Sequence, residues 1–298
     1  MAKNTVNNVI KKSRGENIFN VFNIIFMIFM MFVCFYPFWY VICASFSNAD
    51  QLVMHKGMLW LPIRFDTLAY ERVLNDDRIW SGYLNTIIYV VAGTFINIIM
   101  TVLAAYFVSR RYDVPGQKFI MIMIVFTMYF SAGMIPGFMN IQQLGLYDTR
   151  WAILLPGAIS TFNMVIMRTA MQSIDASMEE SAQLDGASQF IILFKIMVPL
   201  CKATMAVLIL YYGVAHWNAW FNASIYLKDT SKYPLQLWLR QILIQNDTSG
   251  TTDGNDSPML GESIRYANII VATLPILLLY PFLQKYFVKG MMVGAVKG

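Results

Sequence analysis

The sequence predicts an all-α polytopic membrane protein with about six transmembrane helices, and three observations predict it. Apolar residues make up 57% of the 298-residue chain and charged residues only 13%, against about 25% charged in an ordinary soluble domain. The charges cluster, leaving several windows of about 20 residues nearly free of them, long enough to cross a bilayer as helix. Lys and Arg are also unevenly shared between the segments that separate those windows.

The elements follow in order. Residues 1–20 form a basic N-terminal tail with Lys3, Lys11, Lys12 and Arg14. Residues 21–44 are the first span; the run exceeds the roughly 7–15 residues of a signal-peptide core, so it is read as uncleaved. Residues 45–83 are an extracytoplasmic loop whose "NADQLVMHKGMLWLPIRFDTLAYERVL" contains short helices lying on the outer surface. A core over residues 84–290 holds five more spans, at 84–108, 119–139, 151–171, 197–226 and 264–287, and residues 291–298 are a C-terminal tail. A second long outer loop, 228–263, carries the turn formers "NDTSGTTDGNDSPMLGE". Prolines at 37, 136, 156, 199, 275 and 281 fall within or at the ends of spans, where each frees a carbonyl that water in a cavity or a neighbouring side chain must satisfy.

Orientation follows from the cations. With the N-terminus inside, thirteen Lys and Arg lie inside and nine outside, so both termini and residues 177–200 are placed in the cytoplasm. No basic cluster with interleaved aromatics marks a nucleic-acid surface. Cys34, Cys43 and Cys201 match no zinc or redox spacing, and neither His55 nor His216 has metal-ligand neighbours, so no metal centre is expected.

One cytoplasmic stretch is polar where its flanks are not: "SMEESAQLDGASQFIILFKIMVPL", residues 177–200. Ser177 caps a helix, with Glu180 three residues on as its box partner. Gly186 costs about 1 kcal/mol inside a helix and marks its end. The chain then returns to apolar sequence.

This stretch resembles the signature loop of ABC-importer membrane subunits, a Glu-Ala-Ala, three residues, a Gly, and nine or so residues to Ile-x-Leu-Pro. Here it reads Glu180-Ser181-Ala182, Gly186-Ala187 and Ile196-Met197-Val198-Pro199, with Asp185 before the glycine; Ser181 and Val198 depart from the pattern. Within that superfamily the chain looks most like the smaller six-span subunit of maltose-type carbohydrate importers, in the branch for complex oligosaccharides; "WNAWFNASIYL", residues 217–227, carries that part of the likeness. The resemblance implies a bacterial cytoplasmic-membrane permease working as a heterodimer with a second homologous permease. It implies two ATP-binding subunits and an extracytoplasmic solute-binding protein as further partners. ATP and magnesium then belong to the ATPase subunits, and this chain has no cofactor and no catalytic residues of its own. The coupling loop lies at about 175–195, and residues 177–199 contact the ATPase through Glu180, Ser181, Ala182, Asp185, Gly186, Ala187, Ile196 and Pro199. Ala182 and Gly186 let it seat without clash.

For an oligosaccharide, the expected pathway residues are aromatic faces and amides. Trp217 and Phe221, spaced i, i+4, share a helix face, with Asn218 and Asn222 beside them on a helix directly continuous with the coupling loop. Asn163 on the fourth span and Tyr129 on the third are further candidates. The alternatives are a permease of the same kind for a non-sugar solute, or an ion-coupled secondary transporter. The latter usually needs an ionisable group at membrane depth. An intramembrane enzyme would need a nucleophile with its base or paired acids inside a span, and the spans carry almost none.

Overall fold

The computed structural model describes residues 13–110, 116–244 and 259–295. The tail with Lys3, Lys11 and Lys12, the C-terminal residues 296–298, Arg111, and 246–258 of the second outer loop lie outside the described residues. Among the described residues the secondary structure is helical, with one isolated β-bridge between Ser47 and Phe65. The chain divides into two units, residues 1–71 with 253–270, and residues 72–252 with 271–298.

The first unit is led by α1 (Arg14–Ser45), started by Ser13, whose hydroxyl accepts from the Glu16 amide. Large apolar side chains are exposed on every face of α1 from Ile18 to Phe38, the pattern of a helix whose surroundings are lipid. Its last turn is buried: Cys43 and Ala44 pack with Leu52 and Leu59, flanked by Trp39, Tyr40 and Tyr266. The loop that follows carries α2 (Ala49–Met54) and leads to α3 (Leu68–Leu74). Side chains of α1 hold its backbone. Trp39 Nε1 donates to the Trp60 carbonyl at 3.0 Å, and the Tyr36 hydroxyl accepts from the Leu59 amide at 3.0 Å. Such partners supply what an irregular backbone beside lipid cannot take from water.

The second unit runs through α4 (Asp77–Ser109), α5 (Gln117–Tyr129), α6 (Met134–Gln143), α7 (Trp151–Leu154), α8 (Thr161–Gln172), α9 (Ala176–Leu184), α10 (Gln189–Ile191), a π-helical turn Ile192–Met197, α11 (Val198–Leu200), α12 (Lys202–Trp217), α13 (Phe221–Tyr226) and α14 (Leu235–Ile244). The last helix, α15 (Leu260–Ala295), contains the sixth predicted span. α4 is the axis of this unit, packing against α7, α8, α12 and α14. Its C-terminal half joins Met164, Met167, Met171, Leu193 and Leu208 in one core; its N-terminal half joins Ile153, Tyr226 and Leu237 in another.

Three predicted spans are not the continuous helices expected. The third breaks after Tyr129, where Phe130 turns extended, and α6 leaves at 116° to α5 with Pro136 in its first turn. The fourth ends at Leu154 and restarts at Thr161, because Pro156 and Gly157 interrupt it and Ser160 caps the new start, accepting from the Asn163 amide. The fifth bends by 85° at Cys201, between Gln189–Leu200 and α12. Pro199 has no N–H to offer the carbonyl four residues back, and the turn before it is π-wound. The signal in each case is a proline that hydropathy averages away.

Candidate functional site

The polar stretch forms a short helix-turn-helix at the C-terminal ends of α4 and α8. Asp175, rather than Ser177, caps α9: its carboxylate accepts from the Ser177 amide at 3.0 Å. Both residue types make good caps, so the expected Ser177–Glu180 box fails only by register. Ser173 closes α8 by donating to the Thr169 and Ala170 carbonyls, and Ile174 to the Met171 carbonyl, so the next helix starts at Asp175.

The end of α9 is fully accounted for. Gly186 N–H reaches the Gln183 carbonyl and Ala187 N–H the Ala182 carbonyl, both at 3.0 Å, with Gly186 at φ +78°. This pair of bonds is the Schellman closure, which wants glycine at the left-handed position. Ser188 immediately caps the next helix, accepting from the Ile191 amide. "DGAS" is thus a stop and a start in four residues.

Ala182 is buried in this chain's own core, in the same cluster as Tyr106, Ile192 and Met197. Its small side chain lets α9 lie close against the rest of the unit, so Ala182 packs inward and not, as expected, at an outer contact. The side chain that fastens α9 is Glu179, just before the motif. Glu179 Oε1 lies 3.4 Å from Arg110 Nε, 3.2 Å from the Tyr106 hydroxyl and 3.4 Å from Gln183 Nε2. Tyr106 also reaches Gln189 Oε1 at 2.7 Å, and the Arg110 guanidinium sits 5.6 Å over its ring. A buried Tyr and an Arg at the inner end of a span, beside two consecutive acids, were the available signal. Ser181, Glu180, Asp185, Gly186 and Pro199 are exposed, whereas Ala187 and Ile196 are half-buried. Around them Leu184 is 89% exposed, with Met178 and Phe190 also bare.

The expected sugar patch is not one helix face. α12 stops at Trp217 because Asn218 turns its side chain back to the Val214 carbonyl, at 3.0 Å, and Ala219 N–H to the His216 carbonyl. Trp217 is buried beside the Tyr83 ring at 6.4 Å. Phe221 and Asn222 are exposed at the start of α13, and Phe221 meets Trp220 edge to face. The 85° bend also removes the direct continuity with the coupling loop. Tyr129 is exposed at the end of α5, and Asn163 is buried in the first turn of α8. The structure therefore brings together Trp220, Phe221 and Asn222 and separates Trp217, Tyr129 and Asn163 from them.

A polar seam inside the helices was missed. Asn97, 1% exposed, donates from Nδ2 to the Gly157 carbonyl at 2.6 Å, and its Oδ1 lies 2.6 Å from His216 Nε2. The Tyr212 hydroxyl accepts from the Ser160 amide at 3.1 Å and bonds Thr101 at 2.7 Å. Together they satisfy both sides of the break at 155–160. Gly93 makes room, since a Cβ there would run into the His216 imidazole. The signal was Asn97 in mid-span opposite a Pro-Gly.

On the outer side, Asp148 (φ +57°) accepts from the Asp229 and Lys228 amides at 2.9 and 3.0 Å, and Lys232 Nζ lies 3.4 Å from it and 3.2 Å from Asp229. Those two amides, then Lys232, hold the Asp148 carboxyl below its ordinary range. A lowered carboxyl adds stability above its unfolded pKa and loses it as pH falls through the folded one. Asp148→Asn keeps the shape and tolerates positive φ. The purified variant should melt below the parent at neutral pH, with the difference closing on acidification; a gap constant with pH would count against this.

The arrangement, a latched amphipathic helix beside broken spans, is matched in known proteins. A family described as the binding-protein-dependent transport system inner membrane component matches residues 75–293. The polygalacturonan/rhamnogalacturonan transport system permease protein YtcP of Bacillus subtilis is 42% identical, over 88% of this chain and 92% of that one. Protein LplC of the same organism is 39% identical over 88% and 89%. In the crystal structure of a bacterial ABC transporter involved in the import of the acidic polysaccharide alginate, one chain superposes with a TM-score of 0.86 at 35% identity, over 93% of this chain and 99% of that one. With its helical fold, its signature loop and a match over most of its length, the chain belongs to the binding-protein-dependent transport system inner membrane components, as a membrane-spanning transport subunit and not an enzyme.

Proposed function

We propose that this permease passes acidic oligosaccharides across the bacterial cytoplasmic membrane, lining the path with a second, homologous permease. An extracytoplasmic binding protein delivers the solute, and two ATP-binding subunits, which hold ATP and magnesium, drive the cycle from the cytoplasmic side, where both termini lie. The observation that carries the coupling role is α9: latched inward by Glu179 and Ala182, it leaves Leu184 89% exposed beside Gly186. Leu184 joins exposed Met178 and Phe190 on the same short stretch, and it is apolar exposure of this kind, beyond one side chain, that suits a partner surface. The acidic-sugar reading is supported by the names of the two kinds of relative above, which concern uronate polymers. The test is ATP-dependent uptake of labelled oligogalacturonides into vesicles holding the complete complex and its binding protein. Uptake competed by uronate oligomers and not by neutral ones is expected; uptake of neutral oligosaccharide alone overturns the substrate class.

In this mechanism Glu179 and Arg110 carry motion from α9 to α4. Glu179→Gln keeps the shape and removes the charge. Losing one charge-assisted contact, about 1.5–3 kcal/mol, should lower the uptake per ATP hydrolysed by roughly tenfold or more. Glu180→Gln leaves the Glu179 latch in place. A wild-type ratio of uptake to hydrolysis in Glu179→Gln would show that the latch only shapes the loop.

A further inference from the structure

Arg240 on α14 is half-buried, with its guanidinium 3.7 Å from the centre of the Trp220 ring. The other cations nearby have polar or acidic partners. Lys232 has Asp148 and Asp229, Arg150 donates to the Asn85 amide oxygen at 2.9 Å, and Arg78 pairs with Asp76 at 3.0 Å. Among the described residues Arg240 has the indole face and no carboxylate. A guanidinium stacked flat on a ring keeps its N–H donors free at the edge, in the fork that fits a carboxylate with two bonds. The stack also fixes the fork's plane before any anion arrives. Beside it, Phe221 stands edge to face with Trp220, ring centres 5.4 Å apart, and is 50% exposed. An unneutralised cation held next to an open aromatic face is a two-part site, one part for a carboxylate and one for the C–H face of a sugar ring.

We propose that Arg240, oriented by Trp220, receives a uronate carboxylate as the oligosaccharide enters the pathway, with Phe221 against the ring. This rests on the acidic-oligosaccharide reading and adds the residues that select for charge. A second role for the same pair, as a brace between α13 and α14, is what the test must separate.

The experiment uses the complete complex in vesicles with its binding protein and labelled trigalacturonate. Arg240→Gln is expected to lower uptake at least tenfold, while complex yield and ATP hydrolysis stimulated by the loaded binding protein stay within twofold. Arg240→Lys, which keeps the charge and loses the fork, should fall between. Uptake unchanged in Arg240→Gln overturns the proposal, and so does a parallel fall of uptake, hydrolysis and yield, which identifies a brace. If the unsubstituted complex imports a neutral oligosaccharide and no trigalacturonate, the substrate class has failed first, and that is visible before any variant is made.

Discussion

Asn97→Leu should be the most damaging single substitution in the membrane-embedded part of this chain. Leucine removes both bonds of Asn97 at once and leaves the Gly157 carbonyl and His216 without that partner in apolar surroundings. Each buried group left unmet costs about 1–3 kcal/mol, so the pair costs about 2–6 kcal/mol. Lipid offers no water to repair it, and total stability is only about 5–15 kcal/mol. The expected result is a large fall in folded protein recovered and a clearly lower melting temperature in detergent. Tyr212→Phe, which leaves the Ser160 amide and the Thr101 hydroxyl without that partner, should do the same to a smaller extent, because the ring keeps its packing. Normal yield and melting in Asn97→Leu would mean that the break at 155–160 is held by packing alone.

The second large effect is at Gly186, and here the choice of substitution is informative. Among the described residues, and apart from its own chain neighbours, no atom lies within 4 Å of where a Cβ would be, so space is not the constraint. The constraint is φ +78°, which costs an ordinary L-residue about 1–2 kcal/mol and a β-branched one more. Gly186→Val should unwind the turn, misdirect Ser188 and cut uptake tenfold or more while the complex still assembles. Gly186→Asn should retain most uptake, because Asn enters the left-handed region at small cost. If Asn is as damaging as Val, the site instead demands bare backbone against the ATPase, and the conformational account fails.

These residues also show what the sequence could and could not tell. Fold class was legible because hydropathy and charge are sums over windows, and window sums survive local breaks. The signature loop was legible because Glu180-Ser181-Ala182, Gly186 and Pro199 fall at the spacing of a known motif, and a glycine that ends a helix is a local rule. What was not legible is where three spans break. Pro136, Pro156 and Pro199 each announce an interruption, but where the helix ends depends on a distant partner. Asn97 is 60 residues from Gly157, and periodicity has no access to such pairs. The sugar patch failed for that reason: the i, i+4 argument assumed a helix that Asn218 terminates. Glu179 was passed over because attention fell on the motif's own Glu180, and which of two adjacent acids faces inward is settled by the register of α9.

If residues 177–199 couple to an ATPase as proposed, the 85° bend at Cys201 sets the kind of motion they can deliver. The arm Gln189–Leu200 has twelve residues and lies almost square to α12, and helical rise gives it a reach of roughly 18 Å. A push at its far end has little component along α12, so it acts as a crank and not as a piston. A displacement of about 3 Å over that radius turns α12 by roughly 10° about its own axis. Torque of this kind swings the side chains of His216 and Tyr212 sideways across the seam while leaving their depth in the bilayer unchanged. A stroke delivered by the proposed ATPase partners would be converted from a distance into an angle before it reached the polar groups that hold the broken spans.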